Sequence, residues 1–255
     1  MFDHLNIRAL FPDPVALLST ENGNIRHLVI SDLHIGFEEQ FVASGVKVGV
    51  STQKMLEMLL RLINKWKPDS IIMLGDVKHS IDRISRPEWD EVPRFLEQLL
   101  RQTKVKIIPG NHDGGITPLL PREVELAPNE GISIASNVLL HGHMNLLPQF
   151  SDCQRIIMGH LHPVYNRRGS PLTGTQVWVS LKVDRASLFE GESGLIEILV
   201  LPSFNMELSN AGWSSNRKKI ISPILRRGIR QLNDAVITTL SGEVIGDVDS
   251  MQHVL

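Results

Sequence analysis

The sequence is poor in cysteine, and what it lacks restricts the compartment and the chemistry. Its 255 residues include one cysteine, Cys153. A single thiol cannot close an internal disulfide, so we expect a protein of a reducing compartment. No basic run beside Cys153 would lower the pKa of its thiol. We therefore interpret Cys153 as an unreactive thiol rather than a nucleophile.

Long apolar runs and an excess of one charge are also missing. No apolar stretch approaches the ~20 residues that span a bilayer, and residues 1–10 lack the basic and apolar segments of a signal peptide. We expect a cytoplasmic protein without a membrane partner. The formal net charge of −2 gives no global sign of nucleic-acid binding. The length permits one large domain, or one domain with an appendage.

Short apolar runs are present, and five of them end at a polar cluster. The runs cover residues 25–30, 70–74, 105–108, 133–140 and 155–158, and are bounded in the way expected of buried strands. Helical patterns fill residues 52–66 and 88–102. This alternation predicts an α/β layered fold over residues 1–165. Further strands at 176–181 and 195–201 lack helices between them, and residues 235–245 resemble a hairpin.

The polar clusters at the strand ends contain the residues that could bind a metal or take part in catalysis. They are Asp32-x-His34, Gly75-Asp76, Gly110-Asn111-His112-Asp113, His141-Gly142-His143 and Gly159-His160-x-His162. Ligands of open α/β sheets gather at the carboxyl ends of strands, so five loops should meet at one rim. Carboxylate, amide and imidazole together suit Mn²⁺, Fe or Zn²⁺. A single aspartate at a strand end is more often a turn or cap residue than a metal ligand. Five such clusters in order along the chain favour a metal site.

Alternation along a strand would place both members of an Asp-x-His or His-x-His pair on one side. It would do so for Asp32 with His34, and for His160 with His162. Glycines before Asp76, Asn111 and His160 would let the backbone turn sharply at the strand end.

The five clusters, in this order across residues 28–165, resemble the signature of the calcineurin-like metallophosphoesterases. Residues 75–79 (Gly-Asp-Val-Lys-His) and 201–205 (Leu-Pro-Ser-Phe-Asn) further resemble SbcD-related phosphoesterases of archaea and bacteria. The resemblance implies an α/β fold of two stacked mixed β-sheets flanked by helices. Together with the change of pattern after residue 165, it leads us to expect a metallophosphoesterase domain at 1–200 and a small C-terminal extension at 201–255 packed on it.

The same resemblance implies two divalent metal ions, with Mn²⁺ favoured and Fe, Zn, Ni or Mg as alternatives. A water or hydroxide shared by the metals would attack phosphorus in line. The implied ligands are Asp32, His34 and His162 for the first ion, Asn111, His141 and His160 for the second, and Asp76 as the bridge.

Two more residues receive roles from the resemblance. His112 would protonate or stabilise the leaving oxygen without binding metal, and Asp113 would orient the His112 imidazole. His79 could lie near the substrate or behind the ligands, or be a loop histidine satisfied by backbone. His143 is assigned a place behind the ligands, because a strand that continues past Gly142 is doubtful.

Basic residues allow two interpretations each. Arg167 and Arg168 could touch a phosphodiester backbone or be simple turn charges. The basic stretch 217–230 could be a solvated face, or a phosphate-tracking patch with Trp213 as a stacking platform.

Three functions follow. The first is a phosphodiesterase acting on DNA or RNA, a nuclease that associates with DNA-processing proteins. The second is a small-molecule phosphatase or cyclic-nucleotide phosphodiesterase with the same metals. The third is a catalytically silent partner-binding module, which the complete ligand set and His112 disfavour. The sequence leaves the substrate, the polarity of cleavage and the oligomeric state open.

Overall fold

The computed structural model describes residues 5–20, 23–39, 51–210 and 222–254. Trp213 and the first part of the basic stretch, up to residue 221, lie outside the described residues. Among those that are described, no helix has both the length and the apolar character to cross a membrane.

Six strands form the first sheet, in chain order. The strands β1 to β3 are antiparallel neighbours, and β3 to β6 are parallel. They are β1 (Leu5–Ala9), β2 (Ala16–Thr20), β3 (Arg26–Ile30), β4 (Ser70–Leu74), β5 (Lys104–Ile108) and β6 (Glu125–Leu126).

Eight strands form the second sheet, in the order β14-β13-β11-β12-β9-β8-β7, with β10 paired to β11. The pairs β8–β9 and β9–β12 are parallel and the others antiparallel. The strands are β7 (Ile132–Ile134), β8 (Asn137–Leu140), β9 (Arg155–Met158), β10 (Val164–Tyr165), β11 (Thr175–Asp184), β12 (Leu195–Val200), β13 (Leu232–Thr239) and β14 (Val244–Gly246).

The helices lie outside the two sheets. They are α1 (Ser51–Trp66), α2 (Arg86–Leu100), α3 (Glu207–Asn210) and α4 (Pro223–Gly228). Apolar faces of α1 and α2 pack on the outer face of the first sheet. The helix α4 packs on the outer face of the second sheet through Ile224 and Leu225.

Strand β4 shows how the sequence builds these layers. Its four apolar residues are all buried. Because side chains alternate along a strand, Ile71 and Met73 join the core under the helices. Ile72 and Leu74 face the opposite way and pack between the sheets. The expected fold of two stacked mixed sheets flanked by helices is confirmed, and the apolar contact between the sheets sets the spacing of the rim above it.

One predicted strand was wrong. Residues 133–140 do not form a single strand, because the chain reverses between β7 and β8 and the two strands pair antiparallel. The reversal occurs at Ala135, whose φ is 51°. No glycine or proline marks this turn, so the apolar run conceals it. The strands β1 and β2 were not predicted.

The C-terminal region supplies strands to the second sheet. The predicted hairpin is present as β13 and β14, and β13 pairs with β11 along seven residue positions. The division at residue 200 stays a prediction, but the strands after it extend the main sheet edgewise.

Candidate metal centre

The predicted ligands come from the ends of five strands that belong to both sheets. From the first sheet, Asp32 and His34 follow β3, Asp76 follows β4 and Asn111 follows β5. From the second sheet, His141 follows β8, and His160 and His162 follow β9. The carboxyl ends of the parallel strands therefore meet at one rim, as predicted.

One set of side chains, the first donor group, comprises Asp32, His34, Asp76 and His162. All four residues are buried, and one ligand atom of each lies within 4.8 Å of the others. Nε2 of His162 is 3.0 Å from Oδ1 of Asp32. Nε2 of His34 is 3.5 Å from Oδ2 of Asp76 and 3.2 Å from Nε2 of His162.

The second donor group comprises Asp76, His141 and His160, again within 4.8 Å, with Asn111 beside them. Nε2 of His141 lies 3.3 Å from Oδ2 of Asp76, 3.1 Å from Oδ1 of Asn111 and 3.2 Å from Nδ1 of His160. Asp76 is common to both groups. The geometry thus gathers the seven predicted residues into two clusters that share one carboxylate.

The backbone at these positions is unusual. Five of the seven residues adopt a left-handed φ: Asp32 (58°), His34 (46°), Asp76 (52°), His160 (74°) and His162 (44°). The prediction that strand alternation aligns the x-separated pairs was wrong in its reason, because these residues lie beyond the strand ends. Left-handed non-glycine residues cost about 1–3 kcal/mol each and collect at functional sites. The surrounding structure must hold them.

Two glycines permit this crowding. At Gly75 the φ is +74°, and a Cβ there would lie 2.5 Å from Nδ1 of His141. At Gly159 a Cβ would lie 1.5 Å from Oγ of Ser31. The first glycine therefore serves a left-handed turn and a close approach, and the second a close approach alone.

The charges in the centre suit divalent cations. Burial opposes ionisation of Asp32, but His162 and His141 hold the pKa of its carboxyl below the ordinary value. Burial likewise opposes ionisation of Asp76, and His141 and His34 hold its pKa well below the ordinary value. Burial lowers the pKa of His34 well below its usual range. Two ionised carboxylates therefore converge with four imidazoles and the amide of Asn111, which is a donor set that Mn²⁺, Fe or Zn²⁺ takes.

The orientation of His141 gives an independent test of fit. Its Nδ1 donates to the carbonyl oxygen of Leu74 over 2.7 Å, which leaves the Nε2 lone pair directed at Asp76 and Asn111. Burial disfavours the imidazolium, yet the Asp76 carboxylate outweighs it and raises the pKa of His141 to about 9. A cation among these acceptors would take the place of that proton. The residues present fit a metal site.

His112 lies at the edge of both groups. Its side chain is 12% exposed and its Nε2 is 3.9 Å from Oδ2 of Asp76. Nδ1 of His112 donates to the carbonyl oxygen of His79, so Nε2 is the nitrogen available to the site.

The predicted role of Asp113 was wrong. Its carboxylate does not hold the His112 ring, because it accepts backbone N–H groups instead. Oδ1 accepts from Val77 (2.9 Å) and Lys78 (3.3 Å), and Oδ2 accepts from Gly110 (2.8 Å). Burial first, and then the charge of Asp76, raises the pKa of Asp113 to about 6. Asp113 therefore ties the loop after β4 to the loop after β5.

His79 and His143 stand behind the donors. Nδ1 of His79 is 3.2 Å from Nδ1 of His34, and His34, His79 and His112 form a third cluster of imidazoles within 4.8 Å. That cluster has no carboxylate to balance a cation. The His143 ring centroid is 5.3 Å from that of His141. In the described part of the chain, His143 belongs to none of the three clusters.

The two predicted arginines are exposed. Arg167 and Arg168 follow β10, just after His162. Among the described residues, neither side chain forms an ion pair. The structure therefore brings the seven predicted ligands together with His79, His112 and His143, and leaves the arginines at the surface.

Sequence reasoning missed Glu88, a buried carboxylate on α2. It forms a capping box with Ser85, and its Oε1 also accepts N–H groups from His79 (2.9 Å) and Ser80 (2.6 Å). The Ser-x-x-Glu spacing at 85–88 is the sequence signal of such a cap. Glu88 therefore holds the loop at His79, whose carbonyl oxygen accepts the hydrogen bond from Nδ1 of His112.

Comparison with known proteins identifies the family and the fold. A family model described as calcineurin-like phosphoesterase matches residues 25–186. The crystal structure of Pseudomonas putida nuclease MPE superposes with a TM-score of 0.58 at 17% identity, covering 95% of this chain and 100% of that one. The Escherichia coli phosphoesterase Yfce aligns with a TM-score of 0.38 at 16% identity, covering 87% and 97%. The chain belongs to the calcineurin-like phosphoesterase family.

Proposed function

We propose that this protein is a phosphodiesterase that cleaves nucleic acid with two divalent metal ions, Mn²⁺ being the favoured metal. The observation that supports it is the position of His112. Its Nε2 lies 3.9 Å from the shared carboxylate of Asp76, outside the two carboxylate-bearing donor groups. A scaffold protein has no need of an imidazole there, whereas a hydrolase uses it as a general acid.

The roles in the proposed reaction follow from the donor groups. Asp32, His34, Asp76 and His162 would hold one cation, and Asp76, Asn111, His141 and His160 the other. Such a pair supplies activation of water and neutralises charge on the phosphoryl oxygens. Because Nδ1 of His112 donates to His79, Nε2 faces the site; the imidazolium form would give its Nε2 proton to the departing oxygen and become neutral imidazole. The expelled sugar hydroxyl of nucleic acid is a poor leaving group, so this proton matters most there.

Two observations support nucleic acid as the substrate. Arg167 and Arg168 are exposed a few residues after His162, where guanidinium groups could bind neighbouring phosphates. The Pseudomonas putida protein of similar fold is a nuclease, and the two chains share the fold at 17% sequence identity.

A small-molecule phosphodiester or phosphomonoester is the second candidate. The net charge of −2 favours it, because a nucleic-acid enzyme commonly has a basic surface. The metal centre would be the same for either substrate.

One assay separates these candidates. Metal-stripped protein would be supplied with Mn²⁺, Mg²⁺, Zn²⁺ or Ni²⁺ and offered single-stranded DNA, duplex DNA, RNA, bis-p-nitrophenyl phosphate and p-nitrophenyl phosphate. We expect Mn²⁺-dependent cleavage of a nucleic acid and of the model diester. Activity on the monoester alone would reject the nuclease, and inactivity with every metal would reject the enzyme. The double variant R167A/R168A should lose nucleic-acid cleavage while retaining cleavage of the small diester.

A further inference from the structure

The segment Phe204–Asn205 lies across the loop of residues 31–35, which we call the Asp32 loop. The backbone N–H of Phe204 donates to the carbonyl oxygen of Ser31 over 2.7 Å, and that of Asn205 to Asp32 over 3.3 Å. Nδ2 of Asn205 donates to the carbonyl oxygen of Leu33 over 2.9 Å. Three successive carbonyl groups of the loop, those of residues 31, 32 and 33, thus each accept one hydrogen bond, and all three donors belong to Phe204 or Asn205.

The Asp32 loop needs external support on both of its edges. Asp32 and His34 have left-handed φ values of 58° and 46°, a conformation that persists only where neighbours impose it. The N–H edge is held by the chain after β4. The backbone N–H of Asp32 donates to the carbonyl oxygen of Gly75 (3.2 Å), and the backbone N–H of His34 donates to the carbonyl oxygen of Asp76 (2.8 Å). The carbonyl edge is held by Phe204 and Asn205. Loss of either edge would release the two ligands toward ordinary backbone angles.

Asn205 is itself firmly placed. Its side chain is completely buried, and Nδ2 also donates to Oγ of Ser51 over 3.2 Å. Its Oδ1 accepts the N–H of Glu207 over 3.1 Å. The side chain of Phe204, also fully buried, packs in the core beneath α1 and α2. The side-chain amide of Asn205 therefore connects the start of α1 to the Asp32 loop.

We propose that Asn205 is a positioning residue for the first donor group, and this inference rests on the proposed metal-dependent function. Asn205 touches no donor atom. It acts through the backbone of Leu33, on which the spacing of Asp32 and His34 depends. Loss of supporting hydrogen bonds around metal ligands commonly weakens metal binding by about 10- to 100-fold. We expect that loss at the first donor group, with the second retained.

The test compares two Asn205 variants with a matched asparagine elsewhere. Asn205→Ala removes the amide, and Asn205→Asp preserves its shape while replacing the donor to Leu33 with an acceptor. Asn137→Ala is the control, because Asn137 is 1% exposed and its amide contacts Ile134 and Arg155 at the far end of β8. Mn²⁺ affinity and stoichiometry are measured by calorimetry, and the coupling between the two ions by electron paramagnetic resonance. Urea unfolding reports the stability of each variant.

We expect both Asn205 variants to lose at least about tenfold in affinity for one of the two ions, together with the coupled two-ion spectrum. The control should lose stability while binding both ions normally. If Asn205→Ala does not fold, Asn205→Asp decides the question. Asn205 variants that bind both ions as the wild type does would overturn the inference and leave the proposed function standing. If the Asn205 variants bind metal more weakly but the wild-type protein cleaves no phosphodiester, the proposed function is rejected and the inference about Asn205 stands.

Discussion

The backbone N–H of His112 donates to Oδ1 of Asp76 over 2.9 Å. The residue proposed as the acid is thereby attached to the carboxylate that both donor groups share. Oδ2 of the same carboxylate faces His34 and His141. The position of the acid and the positions of the metals are therefore set together, but the chemical roles of the two residues remain separable by substitution.

Asp76→Asn should abolish binding of both metals. The substitution keeps the shape of the side chain but removes the negative charge that the two donor groups share, and it removes the nearest carboxylate of His34 and His141. Metal content after dialysis, measured by inductively coupled plasma mass spectrometry, checks this. Asp152→Asn, at an exposed position, is the control. An Asp76→Asn protein that retains two ions would show that the carboxylate does not bridge them.

His112→Ala should retain both metals and lose turnover on DNA by about 10²–10⁴-fold, the usual contribution of a general acid. The loss on bis-p-nitrophenyl phosphate should be much smaller, because nitrophenolate departs without a proton. Steady-state rates on both substrates, with metal content measured in parallel, check this. Equal losses on both substrates would contradict the role of acid, and lost metal would make His112 a ligand.

Glu88→Ala should destabilise the protein by about 2–4 kcal/mol, because the partly buried N–H groups of His79, Ser80 and Ser85 would lose a charged acceptor. Activity should fall as well, since the carbonyl oxygen of His79 orients His112. Urea denaturation gives the free energy of unfolding. Glu97→Ala, exposed on the same helix, should change it by no more than about 0.5 kcal/mol. Similar values for the two variants would refute the role of Glu88.

Cys153 should react slowly with thiol reagents in the native protein. It is 6% exposed, and burial raises the pKa of its thiol to about 11. Because the thiolate is the reactive form, its fraction at pH 8 is only about one in a thousand. Reaction with Ellman's reagent should be slow at pH 8 and complete within the mixing time in guanidinium chloride. Rapid native reaction would show an accessible thiolate.

Removal of metal should lower the melting temperature. A ligand at 100 times its dissociation constant stabilises the folded state by about 2.7 kcal/mol, which corresponds to about 5–10 °C for a chain of this size. Differential scanning calorimetry with chelator and with added Mn²⁺ measures the shift. The Asp76→Asn variant should show no response to Mn²⁺.

Much of the rim could be predicted because its signals are local. Short apolar runs such as the one before Asp76 predict buried strands, and parallel strands bring their carboxyl ends together. The turn at Ala135 was missed, because no glycine or proline marks it and Ser136 and Asn137 were included in the predicted strand. The role of Asp113 was mistaken because the nearest histidine was taken as its partner, whereas backbone N–H groups of the loop after β4 and of its own loop donate to the carboxylate. Contacts such as that of Asn205 with Leu33 join residues 172 positions apart, and no local pattern carries them.

The donors are divided between two sheets that are joined by apolar packing. The first sheet contributes Asp32, His34, Asp76 and Asn111, and the second contributes the other three histidines. Each donor group therefore has members from both sheets, and a cation bound there would cross-link the two sheets. A sliding of one sheet past the other by a single ångström would separate the cross-sheet pairs His141–Asp76 and His162–Asp32, whose atoms now lie 3.3 and 3.0 Å apart. The side chains of Ile72 and Leu74, which pack between the sheets, consequently help to hold the two halves of the centre in register.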